Sequence, residues 1–130
     1  MNGNMNDFYE KYINSPDESF QYDTQDIQDN KIWAVLSYVS ILFILPLLVN
    51  DGKSRYGRYH ANQGFILFLT ELVAGLANLA IGWIPFLGSV IKTILSLIII
   101  ALMAYGIFNA ANGKVKRLPF VGQLFDIFNR

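Results

Sequence analysis

The sequence predicts an all-α integral membrane protein with three transmembrane helices. The second and third pair as an antiparallel hairpin, and a short amphipathic C-terminal helix lies in the interface. Three observations carry this expectation. Apolar runs occupy positions 32–49, 61–83 and 85–111, each close to or above the roughly 20 residues that cross a hydrocarbon core of about 30 Å as a helix. Hydrophobic residues make up 53% of the 130-residue chain, more than a soluble core of this size needs. Basic residues gather at the ends of the runs, as Lys31, then Lys53, Arg55 and Arg58, then Lys114, Lys116 and Arg117, where they would meet lipid phosphates.

Taken in order, residues 1–30 read as a mobile acidic arm. Acidic side chains from Asp7 to Asp29 stand there against Lys11 alone, and apolar periodicity is weak. Phe8, Tyr9, Tyr12 and Ile13 suffice for one amphipathic turn at a membrane surface. A cleavable signal is not expected, because a polar acidic start lacks the basic and then apolar order that a signal needs. The membrane domain is expected over 31–113, followed by a basic linker and tail over 114–130.

Asp29 or Asn30 is placed to cap the first membrane helix. Pro46 favours a kink near its far end, and Asn50-Asp51-Gly52 is a turn signal. Trp83-Ile84-Pro85 closes the second helix with an indole at the interface. The turn that follows is short, which forces the hairpin. Gly113 suits a left-handed residue just beyond the third helix. In the tail, Val121, Leu124, Phe125 and Phe128 recur at helical spacing, which predicts the interfacial helix.

The second run is unusual in carrying polar and small residues on one side. At about 100° per residue, His60, Gly64, Glu71, Gly75, Asn78 and Gly82 fall within an arc of roughly 80°. Glycines on one stripe admit a neighbouring backbone, so the expected arrangement puts the first and third helices against this face. Glu71 near mid-span costs at least about 3 kcal/mol if charged and alone. It needs a hydrogen bond, a partner or water, and Lys92 early in the third run is the nearest cation. Asn62 and Gln63 lie beside His60, whose bonding options are these two amides, a backbone carbonyl or a lipid head group. Gly106 and Ala110 form a second small-residue pair on the third run.

These residues exclude several chemistries. Cysteine is absent and histidine occurs once, so neither a nucleophile–base pair nor a metal cluster can be assembled. No catalytic residue, metal site or cofactor is expected, and the zero net charge gives no pull toward nucleic acid. No small-molecule substrate is indicated. Expected partners are membrane lipids, other membrane proteins or a second copy of the chain. The positive-inside rule, applied to three spans, puts the chain in a cell membrane with the N-terminus outside and the C-terminus in the cytoplasm.

The run Arg58-Tyr59-His60-Ala61-Asn62-Gln63-Gly64 occurs with Ala34-Val35-Leu36-Ser37-Tyr38 and Pro46-Leu47 before it. Asn112-Gly113-Lys114 and Leu118-Pro119-Phe120-Val121-Gly122 follow it. In this order the residues resemble a family of small bacterial membrane proteins related to the chloroplast inner-envelope protein-import component, over roughly residues 25–122. The resemblance implies a multi-helix membrane protein associated with protein translocation, and its plant members are usually drawn with four spans. The function expected is thus a non-enzymatic scaffold or accessory subunit for other membrane proteins. The alternative is a small oligomeric channel or transporter with Glu71 lining a polar pathway.

Overall fold

A computed structural model describes residues 3–129. Five α-helices occur among them: α1 (Gly3–Tyr12), α2 (Thr24–Leu36), α3 (Leu45–Leu48), α4 (Arg55–Ile81) and α5 (Leu87–Ala111), with 3-10 turns at Ser19–Gln21, Ser40–Ile44 and Val49–Gly52. The described residues contain no strand.

Two helices, α4 with 27 residues and α5 with 25, are long and apolar enough to cross a membrane, with mean hydropathies of 1.9 and 2.3 over 18-residue stretches. At 1.5 Å per residue they measure about 40 and 37 Å. They run antiparallel through the turn at 82–86, as the short connection requires. Gly82 and Gly88 let the hairpin close, since a Cβ at Gly88 would lie 2.9 Å from the Gly82 Cα. Trp83 is exposed and donates its indole N–H to the Ala80 carbonyl at 2.8 Å. At the other end Gly113 takes φ +72. Lys114 N–H bonds Asn109 O at 2.9 Å and Gly113 N–H bonds Ala110 O at 3.4 Å, which closes α5 in a Schellman motif.

The expected first span is corrected. Residues 32–49 do not form one helix. α2 begins earlier, at Thr24, capped by the Asp23 carboxylate rather than by Asp29 or Asn30. It stops at Leu36, and the chain then turns through Ser40 at φ +51 into the 3-10 turn, α3 and a second turn with Asp51 at φ +58. The cause is tertiary. Ser37 turns its hydroxyl back to the Trp33 carbonyl at 3.1 Å, and its own carbonyl packs against Gly64 of α4. Tyr38 inserts its ring over Gly106 of α5, where a Cβ would meet the ring's Cζ at 2.8 Å. A straight helix through these residues would lose both contacts.

One further expectation is corrected. The tail over 118–129 holds turns and no helix, because side chains of α4 take the backbone groups that a helix would have paired. The acidic stretch over residues 1–30 contains α1, the turn at Ser19–Gln21 and the start of α2 among its described residues. The arm is also tied to the tail. Asp17 accepts from Val115 N–H at 2.9 Å, Glu18 N–H bonds Val115 O at 3.0 Å, and Arg117 N–H bonds Ser15 Oγ at 2.9 Å. Burial opposes the Asp17 charge, but the N–H groups of Val115 and Ser19 and the Ser19 hydroxyl outweigh it and hold the carboxyl below its ordinary value. These bonds hold the described residues of the arm and the tail together at one end of the hairpin.

The core sits at that same end. Buried residues of α4 run from Tyr56 to Leu67 and then cease, and α5 buries Leu102, Gly106, Asn109 and Ala110 near its C-terminus. Beyond this the hairpin projects with Leu72, Val73, Leu76, Leu79, Ile94, Leu97, Ile98 and Ile100 half exposed or more. Full burial of such a side chain is worth about 1.5–3 kcal/mol and each forgoes half or more of it in water, so lipid is the fitting solvent for the projecting half.

Candidate functional site

The polar face of α4 divides into two parts with different surroundings. The first is a closed clasp built from the first three turns of the helix. Ser54 caps the N-terminus by accepting from Gly57 N–H at 2.9 Å, and Asp26 of α2 accepts from Tyr56 N–H at 2.9 Å and from the Ser54 hydroxyl at 2.6 Å. A carboxylate aimed at free N–H groups suits the positive end of the helix dipole. Arg55 lies 4.1 Å from the Tyr22 ring centroid and donates to the Gln21 carbonyl at 2.9 Å, which binds α4 to the segment before α2.

Tyr56 and His60, one turn apart, then reach the end of α5. Tyr56 Oη donates to Ala110 O at 2.6 Å, and the His60 ring bridges Tyr38 Oη at 2.6 Å and Lys114 O at 2.8 Å. A carbonyl can only accept, so Nε2 carries the proton and donates to Lys114, while Nδ1 accepts from the Tyr38 hydroxyl. His60 is fully buried and both nitrogens are engaged.

Asn62 and Gln63 hold the tail. Asn62 donates to Phe125 O at 2.9 Å and accepts from Ile127 N–H at 2.8 Å. Gln63 donates to Gly122 O at 2.9 Å and accepts from Leu118 N–H at 2.8 Å. Each amide satisfies a buried donor and acceptor that no ladder pairs. Arg117 completes the loop with a bidentate contact to Asp126 at 3.1 and 3.2 Å. Gly64 finishes the clasp, with the Ser37 carbonyl where a Cβ would stand.

The second part is an open groove between α4 and α5. Glu71, Gly75 and Asn78 face Leu95, Ser96 and Ile99 across about 340 Å³. Nothing lies within 4 Å of a Cβ built on Gly75. The expectation that the first and third helices cover this stripe therefore holds at Gly64 for the segment after α2 and fails at Gly75. Among the described residues, Glu71 Oε1 and Asn78 Oδ1 are inaccessible to solvent and have no hydrogen-bond partner. Glu71 and Lys92 form no ion pair; the salt bridge among the described residues is Arg117–Asp126. Lys92 lies instead in a cleft near the hairpin turn with Asn78, Gly82, Trp83 and Ser89.

Sequence reasoning placed His60, Asn62, Gln63 and Gly64 together but missed Tyr56 and Asp26, which tie the same end of α4 to α5 and α2. A signal existed for Tyr56, which stands four residues before His60 on one helical face. No group of three or more His, Cys, Asp or Glu among the described residues is arranged to hold a metal ion.

A buried polar clasp at one end and an apolar hairpin at the other define a small helical membrane protein. The chain belongs to the magnetosome magnetite crystal formation protein family (MamF/MmsF), whose model matches residues 29–125, a stretch that contains the whole of α4 and α5 and most of the clasp. It is also similar to a UPF0132 membrane protein of Methanocaldococcus jannaschii, at 29% identity over 103 residues covering 78% of this chain and 71% of that one. No solved structure matches. None of these findings links the chain to chloroplast import.

Proposed function

We propose that the protein is a non-enzymatic, multipass membrane protein that acts as a scaffold or accessory subunit for other membrane proteins. The observation that carries this reading is the contrast along the hairpin. His60, Asn62 and Gln63 are engaged within the chain at the clasp end, and the projecting half presents mainly apolar side chains outward. His60 supports the non-enzymatic reading, because with Tyr38 and Lys114 on its two nitrogens it has neither a lone pair nor a proton free for a substrate. The family's description, which concerns crystal formation at the magnetosome, fits an accessory role in organising a membrane. A part in protein translocation has no support beyond the resemblance in sequence.

The orientation follows from the clasp. Lys53, Arg55, Arg58, Lys114, Lys116 and Arg117 share the end where arm and tail meet, and the positive-inside rule puts that end in the cytoplasm. The hairpin then crosses the membrane and returns.

One observation favours the channel reading instead: Glu71, Asn78 and Ser96 form a polar strip at membrane depth. The two readings separate in liposomes loaded with a pH-sensitive dye. A scaffold predicts equal proton leak with wild-type protein and with Glu71→Leu. A wild-type flux that Glu71→Leu abolishes would overturn the scaffold reading.

A further inference from the structure

We infer that residues 37–48 dip into the clasp-side leaflet of the membrane as a re-entrant segment, entering and leaving on the same side, with an outer face that contacts lipid acyl chains. The inference rests on the proposed reading only in taking the α4–α5 hairpin as lipid-embedded.

The path of the chain comes first. The segment leaves α2 at Ser37, whose carbonyl stands where a Cβ on Gly64 would be. It runs further along α4 to Phe43, whose ring centroid lies 5.0 Å from that of Phe65 and 5.6 Å from that of Phe68. It then turns back, so that a Cβ built on Gly57 would lie 3.2 Å from Pro46 Cβ. Depth follows from helix length. About 20 residues fill the hydrocarbon core, so with the far surface at the turn after Ile81 the near boundary falls close to Asn62. Phe65 and Phe68 then lie about 5 and 9 Å inside it at 1.5 Å per residue. The same length along α5 from Leu87 ends near Gly106, the residue that the Tyr38 ring covers.

The surface and the backbone of the segment both suit that depth. From Ile41 to Val49 it carries no polar side chain. Phe43 and Pro46 turn inward, while Ile41, Ile44 and Leu48 are 51%, 38% and 67% exposed. This apolar face reaches the level of Phe68, just short of Leu72, where the exposed half of the hairpin begins. Irregular backbone is tolerated at membrane depth only with its polar groups paired or buried. Here Leu42 N–H bonds Val39 O at 3.0 Å, Leu45 N–H bonds Leu42 O and Val49 N–H bonds Leu45 O. These local bonds spare the segment the need for water.

The chain contains no cysteine, so nitroxide labels on single introduced ones report depth in liposomes of phosphatidylcholine and phosphatidylglycerol. Relaxation of the label by oxygen, which concentrates in lipid, is compared with relaxation by a water-soluble nickel chelate. Labels at Ile41→Cys and Ile44→Cys should favour oxygen, as a label at Leu76→Cys on the hairpin should, whereas Phe20→Cys should favour nickel. Phe20 and Lys53 flank the segment, and Phe20→Cys and Lys53→Cys should react with an impermeant thiol reagent from the same side. Nickel-favoured relaxation at 41 and 44 with oxygen favoured at 76 would overturn the inference while leaving the hairpin in lipid. Reaction of positions 20 and 53 from opposite sides would overturn it by making the segment a full span. Nickel favoured at position 76 as well would contradict the membrane reading itself, and the inference with it.

Discussion

Gly64→Ala should destabilise the protein by about 3 kcal/mol, the upper range for overpacking at a site that cannot relax, whereas Gly75→Ala should stabilise it slightly. A Cβ at Gly64 would sit 2.7 Å from the Ser37 carbonyl carbon and closer still to its oxygen. That atom is backbone, held in place by Tyr38 on one side and Trp33 on the other, so it has nowhere to go. At Gly75 the same methyl enters open space, and alanine's better helix propensity, worth up to about 1 kcal/mol over glycine, remains. Thermal unfolding of both variants in mild detergent, followed by helical circular dichroism, measures the contrast. Similar losses at the two positions would mean that the groove is filled within one chain.

His60→Leu should cost about 2–5 kcal/mol, because it strands two buried groups at 1–3 kcal/mol each with some lost packing. The Tyr38 hydroxyl loses its acceptor and the Lys114 carbonyl its donor. The Tyr38→Phe change removes one of those stranded groups, so the double variant should be less damaged than the sum of the single ones by about 1 kcal/mol or more. Gln63→Leu should cost less. It strands Leu118 N–H, but the Gly122 carbonyl keeps its bond from Arg117 at 2.9 Å. Equal and additive effects at His60 and Tyr38 would contradict the bridging role.

The contrast between Gly64 and Gly75 also shows how far the sequence could be read. The α4–α5 hairpin was legible, because runs 61–83 and 85–111 are too long for anything but membrane helices and Pro85 leaves no room between them. The left-handed Gly113 was legible from the polar residues around it. Periodicity placed the stripe on one face of α4, but only contacts could show that its two halves differ. The first run misled because hydropathy records the solvent a residue prefers and not the path of the backbone. Ser37 and Tyr38 break it through residues far along the chain, Ser37 O lying against Gly64 and Tyr38 bonding His60 and covering Gly106. The tail misled for a related reason: Val121, Leu124, Phe125 and Phe128 have helical spacing, yet Asn62 and Gln63 claim the backbone of Leu118, Gly122, Phe125 and Ile127. Long-range side-chain to backbone bonds leave no local trace.

The central claim is that arm and tail meet on one side of the membrane while the hairpin turn reaches the other. Cysteine labelling with a membrane-impermeant reagent tests this at Phe20, Leu124 and Phe86, which are 81%, 64% and 84% exposed. Single variants Phe20→Cys, Leu124→Cys and Phe86→Cys would be compared in intact cells and in inverted membrane vesicles. The account predicts that positions 20 and 124 label only in inverted vesicles and position 86 only in intact cells. Labelling of positions 20 and 124 from opposite sides would contradict it.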